Sequence, residues 1–170
     1  MRAYLLIACV LPLLTASHPA AALDDDCGRV PSIPGREGDP FASYIPTIDS
    51  AHSLPKEGVF AVRLQPAGDV IYPVQPERGS DGGYGGIITL ENIPAGRYRI
   101  VLSEEAWIDA VQGNTRLPLL SIRQVSDCPG TRQSVQVEVK GEPLMLQFGG
   151  AAERKVKVAV LRIWPFEWKW

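Results

Sequence analysis

The 170-residue chain is expected to fold as an all-β, antiparallel two-sheet sandwich, Ig-like or jelly-roll-like, with an extended N-terminal arm. Three observations lead there. Apolar and polar residues alternate with a period of two in several runs, as half-buried strands require. Turn signals rich in proline and glycine separate those runs at short, even intervals. No helical interlude falls between them, which argues against an α/β arrangement.

In chain order, residues 1–22 read as a secretory signal peptide. Arg2 supplies the positive start, Leu5 to Leu14 form an apolar stretch broken only by Pro12, and Ala20-Ala21-Ala22 is the small-residue cleavage site. The stretch is too short to span a bilayer, and no other run approaches its length, so no transmembrane segment is expected after cleavage. Leu6-Ile7-Ala8-Cys9 has the look of a lipobox, but eight residues before Cys9 are too few for a charged region and an apolar span. The expected location is periplasmic or secreted. Cleavage leaves 148 residues, enough for one core. Arg2 is the one charge lost, so 16 basic side chains face 19 acidic ones. Without a basic stripe the chain lacks the footprint of a nucleic-acid binder. Two cysteines survive, Cys27 and Cys128, and in an oxidising compartment they are expected to pair. A bridge closing a loop of about 100 residues contributes roughly 4–5 kcal/mol in the chain-entropy model.

Residues 23–57 show no sustained period. Pro31, Pro34, Pro40, Pro46 and Pro55 make them an extended arm, with Phe41, Tyr44, Ile45 and Ile48 available to dock on the domain and a short helical turn expected near residues 47–52. The sandwich is assigned to residues 58–163. Phe60, Val62 and Leu64 alternate with Val59, Ala61 and Arg63; Tyr98, Ile100 and Leu102 with Arg97, Arg99 and Val101. Val135, Val137 and Val139 form a third such run, and Val156, Val158 and Val160 a fourth. Further strands are expected at 69–74, 86–91, 106–111, 117–125 and 143–148, about nine in all. Leu144, Leu146 and Phe148 on one face, with Met145 and Gln147 on the other, predict a strand whose second face is partly covered.

The run Ile87-Ile88-Thr89-Leu90-Glu91-Asn92-Ile93-Pro94-Ala95-Gly96-Arg97-Tyr98-Arg99-Ile100-Val101-Leu102 has a local logic: Pro94 fixes φ and Gly96 supplies a permissive position, so two strands reverse tightly. It resembles the strand–turn–strand of secreted bacterial β-sandwich modules, the carboxypeptidase-regulatory-like and pre-peptidase C-terminal-like domains. From Ala106-Trp107-Ile108-Asp109 through Asp127-Cys128-Pro129-Gly130 to Val158-Ala159-Val160, the chain also resembles a family of exported bacterial proteins of uncharacterised function. The resemblance implies a fold and a compartment, and no activity.

Chemistry is sparse. His52 is the one histidine left after export, and Asp49-Ser50-Ala51-His52-Ser53 holds the residue types of a hydrolase triad, but triads assemble from separate elements of a fold. An envelope hydrolase using His52 is the alternative reading. One histidine cannot build a two-histidine iron or copper centre, and Asp24-Asp25-Asp26, Asp81 and Asp127 lack EF-hand spacing, so no metal and no cofactor are expected. The glycine-rich residues 79–86 lack the following helix a phosphate loop needs; they read as a mobile hairpin loop with Tyr84 at its tip, a binding candidate. The last eight residues, Ile163-Trp164-Pro165-Phe166-Glu167-Trp168-Lys169-Trp170, hold three of the four tryptophans. Trp164, Phe166, Trp168 and Trp170 would share one face of an extended strand, as a lid or a binding surface. The same alternation resembles the terminal signal of outer-membrane barrels, a remote alternative that Pro165 and Arg162 disfavour. The reading is an exported, non-enzymatic binding or accessory module of the bacterial envelope, its partner an envelope protein or glycan.

Overall fold

The computed structural model describes residues 40–78, 82–124 and 130–163. The signal peptide, Cys27, Cys128 and the aromatic residues Trp164, Phe166, Trp168 and Trp170 lie outside them. The strands, in order, are β1 (Thr47–Asp49), β2 (His52–Leu54), β3 (Val59–Arg63), β4 (Gln65–Pro66), β5 (Tyr84–Leu90) and β6 (Gly96–Leu102). They continue with β7 (Trp107–Gln112), β8 (Thr115–Arg116), β9 (Leu119–Gln124), β10 (Gln133–Val139), β11 (Leu144–Ala151) and β12 (Lys155–Ile163). Sheet I runs β1-β3-β12-β6-β10-β9, and sheet II runs β2-β5-β11-β7-β8 with β4 on the start of β5. Neighbours are antiparallel, except that β1 lies parallel to β3 and β2 parallel to β5. The fold is an all-β sandwich whose two sheets do not close into a barrel.

The alternating runs face as their period requires. Phe60, Val62, Tyr98, Ile100, Leu102, Val135 and Val137 of sheet I, with Val156, Val158 and Val160, meet Ile88, Leu90, Leu144, Leu146 and Phe148 of sheet II in one buried core. Each such side chain contributes roughly 1.5–3 kcal/mol by leaving water. Tyr98 is wholly buried, and its hydroxyl donates to the Pro94 carbonyl at 2.9 Å. The Pro94–Tyr98 corner therefore satisfies its own buried phenol within five residues, a local reason for that spacing.

Three expectations need correction. No helical turn forms near residues 47–52: β1 and β2 flank a corner at Ala51, whose φ is 64°. Ser50 N–H donates to Arg63 O of sheet I, while Ala51 N–H donates to Ile87 O of sheet II. Two strands of three residues are too short to show a period, so the arm's last part joins the sheets without announcing it. Second, no strand spans 69–74. A 3-10 turn at Ala67–Asp69 leads into irregular chain, because Pro73 and Pro76 each lack the donor a ladder needs. Third, Tyr84 is not at a loop tip; it opens β5.

Both outer faces carry cover. Phe41 is buried against Val101 and Ala159 on sheet I, with Ile45, Val59 and Leu161 around it. Ile48 packs on the main core, whereas Tyr44 stands 92 % exposed. Of the four arm residues expected to dock, three do.

Candidate functional site

The sequence places Gln147 on the outward face of β11, yet it is wholly buried. Residues 70–78 form a strap across the outside of sheet II, and Gln147 holds its middle. Its amide nitrogen donates to Val74 O at 2.9 Å, and its Oε1 accepts Val74 N–H at 3.2 Å. One side chain thus satisfies both polar groups of a residue that no ladder serves. At one end Tyr72 donates its hydroxyl to Phe148 O at 2.7 Å, its ring 5.3 Å from that of Trp107. At the other, Glu77 N–H donates to Asp109 Oδ2 at 3.3 Å, and Arg116 donates to Gln75 O. The strap therefore meets β11, β7 and β8.

Two glycines make the close approach workable. A methyl group at Gly85 would overlap the Tyr72 hydroxyl, and one at Gly149 would overlap the indole of Trp107. Asp109, only 6 % exposed, lies inside this contact. Arg116 Nε lies 3.3 Å from Asp109 Oδ2, near enough for an ion pair but too oblique for a hydrogen bond. Its Nη1 sits 3.7 Å from Glu77. A buried carboxylate next to a guanidinium is costly to leave alone, so each fixes the other.

The strap ends beside a cleft of about 460 Å³, within the range of small-ligand sites. Glu77, Arg78, Asp109 and Arg116 give it a polar wall; Trp107, Ile108, Leu117, Leu119 and Ile122 give it an apolar one. It opens at the edge of the sandwich where β8 and β9 lie, so both sheets contribute. Sequence reasoning missed Asp109 and Arg116, and a strap formed by distant contacts has no local signature. Signals did exist: a glutamine inside an apolar strand, the Gly149-Gly150 pair, and an aspartate within Trp107-Ile108-Asp109-Ala110-Val111.

Of the expected site residues, Tyr84 and His52 lie among the described ones. Tyr84 is half-buried against the main core, and its hydroxyl accepts Arg154 Nε–H at 3.1 Å while the guanidinium stands 5.3 Å from the ring centroid. Its β5 position and this Arg154 cap remove it from the role of a free loop tip. His52 is exposed on β2 and does not line the cleft. Ser50 Oγ accepts Ile87 N–H at 3.0 Å, and Asp49 pairs with Arg63. Among the described residues no three His, Cys, Asp or Glu side chains cluster as metal ligands, and no helix is long and apolar enough to cross a membrane.

Burial raises the pKa of Tyr72 above its ordinary value. Tyr98 is raised by burial, with Glu57 adding to the effect and Arg162 opposing it. A phenol with a raised pKa in the folded state contributes stability that is full below the unfolded value of about 10 and lost as pH rises through the folded value. Urea unfolding between pH 8 and 11 should therefore show falling stability above about pH 10, and Tyr72→Phe should make that fall shallower. Equal slopes for both proteins would exclude Tyr72 as a contributor.

Compared with protein-family models, curated proteins and solved structures, the chain matches none.

Proposed function

We propose that this chain is an exported, non-enzymatic binding or accessory module of the bacterial envelope, and that it holds its protein or glycan partner at the edge cleft. The cleft carries the reading. A rigid two-sheet frame presents an aromatic residue, an ion pair and an apolar wall together at one open edge, the mixture that recognition sites use. Trp164, Phe166, Trp168, Trp170 and the loop at residues 79–86 are further candidate contacts. The signal peptide and a bond between Cys27 and Cys128 belong to the same reading, as does the resemblance to secreted bacterial β-sandwich modules.

The test is retention. The secreted protein is immobilised and challenged with an envelope extract and with purified envelope polysaccharide, alongside an Ile122→Asp variant that charges the cleft wall. A component held by the parent and lost by at least ten-fold from the variant supports the reading. Equal retention by both proteins contradicts it. Turnover of any such component that disappears in His52→Ala would put the hydrolase in its place.

A further inference from the structure

Among the described residues three glutamines are buried, Gln112, Gln133 and Gln147, and two of them are used at both ends of the amide. Gln147 holds the N–H and the carbonyl of Val74. Gln112 donates to Glu142 O at 2.7 Å and accepts Lys140 N–H at 2.9 Å. Gln133, the first residue of β10, is 8 % exposed, yet among the described residues its amide has no hydrogen-bond partner. A buried amide left unpaired is costly, so one that persists calls for a reason. Gln133 stands opposite Leu102 of β6, which is wholly buried in the core. Directly opposed residues share a face, so Gln133 also points between the sheets. There it lines the cleft, and its polar atoms are not among those sealed from solvent. The amide is open to whatever enters.

We propose that the cleft takes an uncharged, extended peptide segment of a partner protein. The Gln133 amide bonds the N–H and the carbonyl of one peptide residue, and an aliphatic side chain of the segment packs on Ile122. This rests on the reading of the cleft as a binding site and names its occupant. Gln147 shows the same chemistry within the fold, where one glutamine serves both polar groups of a residue outside any ladder. The apolar contact follows from position. Ile122 of β9 stands opposite Val135, which lies two residues along β10 from Gln133 and faces the same way. Ile122 and Gln133 are therefore diagonal neighbours on one face. Ile122 is 50 % exposed although it faces the core, so apolar surface there lacks its complement. The charges of the lining cancel: Glu77 and Asp109 both lie on Arg116, and Arg78 is the fourth. Nothing in that balance selects a charged ligand. A sugar would need an open aromatic face to pack its C–H surface. The apolar wall is aliphatic apart from Trp107, and that indole is already packed on Gly149 and against Tyr72.

The experiment passes the fluorescently labelled full chain over an array of capped hexapeptides, charged and uncharged, and over an array of neutral oligosaccharides. Gln133→Leu and Gln147→Leu are run beside it. The parent should retain uncharged aliphatic peptides, and Gln133→Leu should lose them by at least ten-fold. The melting temperature of Gln133→Leu should equal or exceed the parent's, because the change removes a buried amide that the free fold does not use. Gln147→Leu, which strips Val74 of both partners, should melt several degrees lower. The side-chain amide resonance of Gln133 should shift when a retained peptide is added. Peptide retention that Gln133→Leu leaves intact overturns the proposal. Retention of oligosaccharides alone makes the occupant a glycan and also overturns it; in both cases the reading of the cleft as a binding site stands. No retention on either array overturns it too, and the cleft reading is then decided by the Ile122→Asp extract test alone. A Gln133→Leu protein that fails to fold, or melts as low as Gln147→Leu, shows that the amide serves the fold and overturns the proposal as well.

Discussion

Replacing Tyr98 by alanine is expected to lower the stability of the fold by about 3–5 kcal/mol, the scale of a large aromatic removed from a packed interior. Tyr98 is wholly buried at the centre of sheet I, between β12 and β10, and touches the core on the inner side. A loss of that size is comparable to the entire margin of many domains, so the variant should be recovered as a largely unfolded chain or melt roughly 10–20 °C lower. Tyr98→Phe separates the ring from the hydroxyl. It keeps the packing and removes only the bond to Pro94 O, so it should cost about 1 kcal/mol. If phenylalanine proves as damaging as alanine, the corner's hydrogen bond and not its ring holds this turn. Chemical denaturation of the two variants at neutral pH distinguishes the cases.

The second large effect is expected at Gly149. Any side chain there enters the space of the Trp107 indole, and Trp107 is packed beneath Tyr72 of the strap. Gly149→Ala should therefore expel the indole and loosen residues 70–78, at a cost of about 1–3 kcal/mol for overpacking. The damage should be local in character. Exchange at Val74 and Glu77 amides should accelerate while the β6 and β12 amides at the centre of sheet I keep their protection. Gly58→Ala is the matched control: nothing lies within 4 Å of the added methyl, so its effect should stay within about 0.5 kcal/mol. Uniform acceleration across the whole fold in Gly149→Ala would show that the strap is not a separate unit.

The two sites also differ in how far local pattern encodes them. Tyr98 stands in an alternating run with a turn signal just before it, and both its burial and its strand follow from that pattern. The same holds for Val135 to Val139, Val156 to Val160 and Leu144 to Phe148, where the period of two is dictated by the pleat itself. The covered outer face of β11 is legible too, through Gln147. What covers it is not, because Val70, Ile71, Tyr72 and Val74 carry the composition of a strand and only Pro73 and Pro76 argue otherwise. The cleft is hidden for a further reason. Asp109 and Arg116 lie on neighbouring strands, while Glu77 reaches them from more than thirty residues away, and no spacing within the sequence encodes such a meeting. The aromatic residues from Trp164 onward and the cysteine pair lie outside the described residues, so their roles rest on the proposals above.

The connections at the two edges of the sandwich have a mechanical consequence. On one side Ser50 and Ala51 carry the chain from sheet I to sheet II; on the other Leu117 and Pro118 carry it back. Two-residue links are too short to stretch, so neither sheet can slip along the other without tearing a corner. The remaining freedom is angular. Pro118 stiffens the corner next to the cleft, and Leu117 N–H is anchored to Ala110 O at 2.7 Å, so the spacing of the layers is fixed at that point. The far end of the β9 edge, where Ile122 and Gln133 lie, has the longest lever arm. A substitution that loosens the Leu117–Pro118 corner is therefore expected to widen the spacing between the layers most at that far end, around Ile122 and Gln133.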